Sequence, residues 1–264
     1  MVWHVRRHIN KSINQMLFLL KRMLLVIIAM VLLLLWTMFG LNDSLAPVPA
    51  HATRPTTLAA GNDTVIQHTS SFIDESSIMH TYGEIKNISN RSLTNVTVKG
   101  SFYDDEGKLL NQYQRSCELP TVSSGGVCPF EILYIDTNTT NTIKDIKLSA
   151  LGIYTDKIKP TTLKVYSDNA KLNILGFYFI NGRISNEGPV TATDSSVVAT
   201  LYDKDGNVIA LGRAIAEPAN IPSGTRASFG IAVTEKSQVY KTKSYSLVSY
   251  SKQYLSPSIT IVYK

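Results

Sequence analysis

Residues 79–136 and 178–235 of this 264-residue chain superpose on each other at a constant offset of 99, without a gap. The offset pairs Gly83 with Gly182, Ile85 with Ile184, Asn87 with Asn186, Val98 with Val197, Tyr103-Asp104 with Tyr202-Asp203, Gly107 with Gly206, Gly125 with Gly224 and Phe130 with Phe229. Self-similarity at one fixed spacing means that one folding unit is written twice, so whatever the first copy folds into the second must fold into as well. At roughly 95 residues each, the copies have the ordinary size of a domain and account for most of the chain.

Each copy reads as short strands separated by turns. Val98, Gly100 and Phe102 alternate with Thr97, Lys99 and Ser101, and Val197, Ala199 and Leu201 alternate with Ser196, Val198 and Thr200. A period of two puts one face of each strand toward a core. Ser-Ser-Gly-Gly at 123–126 and Pro-Ser-Gly at 222–224 turn the chain into the strands that carry Phe130 and Phe229. After Leu41 no sustained apolar stripe of helical period occurs. The expected fold class is therefore all-β: two tandem immunoglobulin-like β-sandwiches, over 62–158 and 159–264.

The stretch LYDKDGNV at 201–208 has the acidic spacing of a calcium loop, and the spacing fails on inspection. Counting from Asp203, Gly206 falls at position 4 and Gly212 at position 12, where an EF-hand loop needs Gly at 6 and Glu at 12. The copies share only Tyr-Asp-x-x-Gly. Asp104 and Asp203 are placed to bond the following backbone amides, and Gly107 and Gly206 to take the left-handed conformation that closes a hairpin. Taken together, Gly-x-Ile-x-Asn, a Val-rich strand, Tyr-Asp-x-x-Gly and a Ser-Gly turn leading to Phe resemble the FxLYD family, immunoglobulin-like modules of exported or membrane-anchored prokaryotic proteins. The second copy keeps Leu201-Tyr202-Asp203 but has Ala199 where that family has Phe, and the first has Gly100 before Phe102-Tyr103-Asp104. The resemblance covers both repeats and implies a binding or scaffolding module without catalytic residues.

Ahead of the repeats, residues 23–41 (MLLVIIAMVLLLLWTMFGL) run for 19 positions without a charge. As a helix rising about 1.5 Å per residue this reaches roughly the hydrocarbon thickness of a bilayer. Arg6, Arg7, Lys11, Lys21 and Arg22 precede it and Asp43 follows, which places residues 1–22 in the cytoplasm and the bulk of the chain outside the cell membrane. A signal peptide cleaved near Ala50-His51-Ala52 competes with this single-pass anchor, although 19 residues exceed the usual signal core of about 7 to 15. Residues 42–61, rich in Pro, Ala and Thr, read as a linker. The formal charge of +6 belongs to this end: without its five basic residues the chain has 21 basic against 20 acidic. No basic stripe remains to bind phosphates, and nucleic acid is excluded as a partner.

Cys117 and Cys128 flank the Ser-Ser-Gly-Gly turn, and the second copy replaces both with alanine, Ala216 and Ala227. Joint replacement is what a disulfide across adjacent strands predicts, and export makes oxidation plausible; two buried thiols are the alternative. Asn-x-Ser/Thr occurs at Asn10, Asn42, Asn62, Asn87, Asn90, Asn95 and Asn138, of which Asn62, Asn87, Asn90, Asn95 and Asn138 are candidate glycosylation sites if the host modifies Asn. A His-based site requires His68 and His80 to converge, since the other histidines lie before residue 53. Tyr240, Tyr245, Tyr250, Tyr254 and Tyr263 form either a contact surface or the last strands of a sandwich. No catalytic, cofactor or metal site emerges. The expected function is binding or scaffolding at the envelope with an envelope protein, a glycan or another copy as partner; the alternatives are an accessory or sensory subunit of a membrane complex, or a secreted module after cleavage.

Overall fold

The computed structural model describes residues 58–59 and 63–262. Within them the chain is all-β apart from a 3-10 turn at Thr140–Thr142 and one helical turn at Lys236–Val239. The first copy contributes β1 (Leu58–Ala59), β2 (Thr64–Ile73), β3 (Met79–Asn87), β4 (Ser92–Tyr103), β5 (Leu109–Ser116), β6 (Thr121–Val122), β7 (Val127–Tyr134) and β8 (Asp145–Thr155). The second contributes β9 (Leu163–Leu172), β10 (Tyr178–Asn186), β11 (Ser196–Tyr202), β12 (Val208–Ile215), β13 (Arg226–Val233), β14 (Ser244–Tyr250) and β15 (Ile259–Val262).

In each copy a three-stranded sheet faces a larger one across an apolar core. The order is β2-β3-β7 against β1-β8-β4-β5 in the first, with β6 on β4, and β9-β10-β13 against β12-β11-β14-β15 in the second. All of these pairs are antiparallel. Ile85, Val98, Phe102, Phe130 and Ile132 build the first core, and Ile184, Val197, Leu201, Phe229 and Ile231 build the second.

The repeated Gly and Phe have one physical cause. Gly83 lies directly opposite Phe130, and Gly182 opposite Phe229. Each ring lies over the glycine, so that a Cβ at Gly83 would come within 2.7 Å of the Phe130 ring and one at Gly182 within 2.5 Å of Phe229. Only glycine leaves room for the aromatic side chain that fills the core.

The copies differ at one edge. In the second, β14 is a central strand with β15 on its outer side. In the first, the chain leaves β8 for the second sandwich, and among the described residues no strand stands in β15's position. β1, two residues of the segment that reads as linker, lies beside the other end of β8, pairing Leu58 with Ile153 and Ala59 with Gly152. Among the described residues no helix is long and apolar enough to cross a membrane; residues 23–41 lie outside them.

Candidate functional site at the junction of the two sandwiches

The Tyr-Asp-x-x-Gly stretches close hairpins in both copies. Asp104 Oδ1 accepts the amides of Glu106 and Lys108 at 3.1 and 2.8 Å, and Asp203 Oδ1 accepts those of Asp205 and Asn207 at 2.9 Å each. Gly107 and Gly206 take φ of +77° and +81°. The register shifts at Phe102/Tyr103 and Leu201/Tyr202, so each hairpin ends in a bulge. One carboxylate oxygen of each Asp is thereby committed to backbone amides. Among the described residues no group of three or more His, Cys, Asp or Glu is arranged to hold a metal ion.

What separates the two hairpins is their surroundings. A side chain added at Gly107 would meet open space, whereas Gly206 lies beside His68, whose φ of 54° marks the bulge in β2. The second hairpin thus abuts the first sandwich. From this contact a continuous junction extends across the outer face of β2-β3-β7. The Tyr202 hydroxyl donates to Glu84 Oε1 at 2.6 Å, Ser70 Oγ donates to the Val208 carbonyl, and Arg213 pairs with Glu118 at 3.2 Å. Val198, with Val248 and Tyr250, packs against the first core. Burial and the Glu84 carboxylate raise the Tyr202 hydroxyl well above the usual phenol range, so it stays a proton donor.

A cluster of titratable side chains lies on this face. His80 is only 7% exposed and stacks on Phe72, ring centroids 4.8 Å apart and planes 6° from parallel. Its Nδ1 lies 2.8 Å from Glu131 Oε1, and its Nε2 lies 3.4 Å from Asp74 Oδ2. Burial opposes a charged imidazole, but the hydrogen bond to Glu131, the nearby Glu235 of the second copy and the bond to Asp74 outweigh it and raise the His80 pKa. Burial would likewise raise Glu131, and donation from His80 and Tyr82 holds it below its ordinary value instead. For Asp74 the Ile78 amide, His80 and the Ser76 amide overcome burial and lower it. Glu235 is raised, first by burial and then by its like-charged neighbours. The cluster clamps the His80 imidazole between carboxylates.

This cluster escapes a reading of the sequence, because His80 is 6 residues from Asp74 and 51 from Glu131, a spacing that matches no motif. The available signal was His80-x-Tyr82-x-Glu84, three polar side chains on one face of a strand. His68 and His80 both lie toward the junction, but His68 is not among the partners of His80 in the cluster.

The remaining candidates have structural surroundings. Cys117 and Cys128 form a disulfide with Cα atoms 5.8 Å apart. Ala216 and Ala227 are buried in the second core. Asn87 is withdrawn as a glycan acceptor: it is fully buried, and its Nδ2 donates to the carbonyls of Arg91, Val122 and Ser123 at 2.7, 3.0 and 3.1 Å. Asn186 does the same in the second copy, donating to Val190 and Ile221. Asn90, Asn95 and Asn138 are exposed, and Asn62 lies outside the described residues. Tyr245 and Tyr254 belong to the second core, Tyr240 is exposed, and Tyr263 lies outside the described residues. A shallow groove lined by Val165, Tyr166, Pro257, Ile259 and Ile261 also borders Lys164, which is paired with Glu187 at 2.8 Å.

The fold and its site define an all-β protein of paired sheets whose polar side chains converge on an internal junction. No protein-family model and no curated protein matches the sequence. Among solved structures the chain is similar to red sea bream transglutaminase, at 12% identity and TM-score 0.25 over 76% of this chain and 32% of that one. It is also similar to the exo-chitosanase CsxA of Amycolatopsis orientalis, at 10% identity and TM-score 0.27 over 76% and 26%, and to a Bacteroides uniformis beta-glucuronidase, at 12% and 0.23 over 69% and 26%. The chain thus spans a third or less of these proteins, and likenesses this weak carry no function across.

Proposed function

We propose that the chain is a non-catalytic, membrane-anchored extracytoplasmic protein that binds or scaffolds partners at the cell envelope, its two sandwiches being tandem immunoglobulin-like modules of the FxLYD-like kind. The observation that carries this reading is the junction. Its hydroxyls, carboxylates and imidazole bond to one another and to backbone across two covered sheet faces, which joins the modules and leaves the outer sheet of the first sandwich to face partners. A hydrolytic site needs a nucleophile and base opening onto a cleft, whereas His80 is sealed under Phe72 and held by two carboxylates. Exposed Asn90, Asn95 and Asn138 leave the first sandwich room for sugar where the host glycosylates Asn.

The test is intact mass and peptide mapping of the unreduced protein from its native membrane, with protease added from outside to whole cells. Retention of residues 23–41 together with external cleavage after residue 42 is the expected result. A mature N-terminus near residue 53 makes the chain a secreted module, and protection of the repeats from external protease overturns the topology. The second reading, a sensory subunit of a membrane complex, is favoured by the His80 cluster, which ties the contact between modules to a proton.

A further inference from the structure

The turns that join the first two long strands of each copy are built alike and carry opposite chemistry. In the first copy, between β2 and β3, Asp74 Oδ1 accepts the amides of Ser76 and Ile78 at 2.9 and 2.8 Å, and Ser77 takes a φ of +62°. In the second, between β9 and β10, Asn173 Oδ1 accepts those of Leu175 and Phe177 at 2.9 Å each, and Gly176 takes a φ of +79°. The offset of 99 sets Glu75 against Ile174 and Ser76 against Leu175, so an acidic, polar tip becomes an aliphatic one. Leu175 is 61% exposed and Ile174 fully exposed; among the described residues nothing packs over Ile174.

The charge around the tip reverses with it. β13 pairs Val233 with Tyr178, so residues 234–243 close the same end of the second sandwich as the tip. Segments 171–177 and 234–243 hold Lys171, Lys236, Lys241 and Lys243 against Glu235, which lies near His80. The corresponding segments of the first copy, 72–78 and 135–144, hold Asp74, Glu75 and Asp136 against Lys144. Lys236 is fixed beside the tip. A Cβ added at Gly176 would lie 3.5 Å from its Cγ, and its Nζ lies 5.1 Å from the centre of the Phe177 ring.

We infer that the Asn173–Phe177 tip inserts Ile174 and Leu175 into the surface of a bilayer carrying anionic lipids, with the surrounding lysines on the headgroups. Three observations select lipid over a protein partner. Ile174 stands clear of its neighbours, so a protein would have to offer it a pocket, whereas the boundary between headgroups and acyl chains admits a convex apolar tip of any outline. The backbone is prepared for a medium poor in water, because the amides of Asn173, Leu175, Gly176 and Phe177 all have acceptors within the turn. The lysines supply the matching charge, since their stems lie along apolar surface while the amines reach lipid phosphates. An anchored chain has the reach for this contact. Residues 42–57 extend to about 50 Å, against about 33 Å for a strand of ten residues such as β9. A chain cleaved near residue 53 meets the same surface from outside, so the inference does not rest on the anchor.

The experiment uses the full-length chain reconstituted in vesicles of phosphatidylcholine, with and without phosphatidylglycerol. Both cysteines of the chain are in the Cys117–Cys128 disulfide, so a single introduced cysteine is the sole free thiol and carries an environment-sensitive fluorophore. In the anionic vesicles the probe at Ile174→Cys should shift to the blue. Spin labels held among the acyl chains should quench it about tenfold more than a probe at Glu75→Cys, the same turn of the first copy. Adding Leu175→Glu, an exposed change that leaves the core intact, should return the Ile174→Cys probe to water, and omitting phosphatidylglycerol should weaken its quenching. Equal quenching at the two tips, or quenching indifferent to Leu175→Glu or to lipid charge, would overturn the proposal. A probe shielded in native membranes yet solvated in the vesicles would assign the tip to a protein partner and overturn it as well.

Discussion

Strands β4 and β11 are the same strand of the same repeat, and they differ in what lies on their outer side. In β4 the inward residues Val98 and Phe102 are buried while Lys99 is exposed; in β11 residues 196–201 are buried on both faces. The cause is the junction, because the first sandwich covers the outer sheet of the second, and among the described residues nothing covers the outer sheet of the first. The sequence changes in step. Val198 stands where the first copy has Lys99, Ser246 where it has Lys147, Val248 where it has Ser149, and Tyr250 where it has Leu151. A repeated fold therefore tolerates opposite chemistry on one face, and the chemistry records which copy is covered.

The comparison breaks most visibly at that position. Val198→Lys puts an unpaired charge at a site only 1% exposed and should cost about 4 kcal/mol. The mirror change Lys99→Val, on an exposed face, should stay within about 0.5 kcal/mol. Denaturant unfolding of both variants checks the pair, and equal tolerance would mean that the junction does not hold in solution. Next in size is the disulfide. Replacing Cys117 and Cys128 by alanine gives the first copy the Ala216/Ala227 arrangement of the second and removes a cross-link over 11 residues, worth about 3 kcal/mol in the chain-entropy model. A fall well below that value, read as the unfolding midpoint with and without reductant, would show that the first core holds itself as the second does.

Glycine separates the copies more finely. An alanine Cβ at Gly182 would lie 2.0 Å from the Tyr166 carbonyl oxygen, a backbone atom, as well as against the Phe229 ring. At Gly83 the obstacles are the Phe130 ring and the Thr69 methyl, at 2.7 and 2.9 Å, and both are side chains that shift. Gly182→Ala should therefore be the more destabilising of the two by about 1 to 2 kcal/mol. Thermal unfolding of the two single variants decides it, and an equal or reversed ranking would remove the backbone clash as the cause.

Much of this was legible in the sequence and some was not, for physical reasons. The offset of 99 and the period of two fix repeated strands, and Tyr-Asp-x-x-Gly fixes the bulged hairpins, because these depend on neighbours close in the chain. The pairing of Leu58–Ala59 with β8 was hidden, since two residues carry no period and their partner Ile153 is almost a hundred positions away. Asn87 looked like a sequon because its burial depends on carbonyls from Val122 and Ser123 across a turn. The junction was written in the Lys99/Val198 contrast, but a contrast shows only that a face is covered. The His80 cluster is the extreme case, where four side chains from distant positions meet on a face that sequence alone assigns to water.

That cluster supplies the smallest effect and the sharpest test of the junction. The charged and titratable groups around His80 are Asp74 and Glu131 from the first copy and Glu235 from the second, with Tyr82 beside the ring and Arg115 acting on Glu131. The His80 pKa is raised in the fold from an ordinary 6.5, so its contribution is complete below about 6.5 and is lost as pH rises through the folded value. Asp74 and Glu131 are lowered, from 3.8 and 4.5, so theirs is present above those values and is lost as pH falls through the folded ones. Glu235 is raised and acts in the opposite sense to the other carboxylates, its contribution falling as it ionises. Stability should therefore be greatest between the carboxylate and imidazole ranges and should decline as pH rises above about 6.5. His80→Gln keeps a neutral hydrogen-bonding side chain and should flatten the decline above pH 6.5 while leaving the acid limb in place. Unfolding midpoints of both proteins across that range are the measurement. An unchanged alkaline slope in the variant would show that the imidazole is not protonated in the fold, and the clamp between the copies would then rest on Tyr202–Glu84, Arg213–Glu118 and the apolar contacts of Val198.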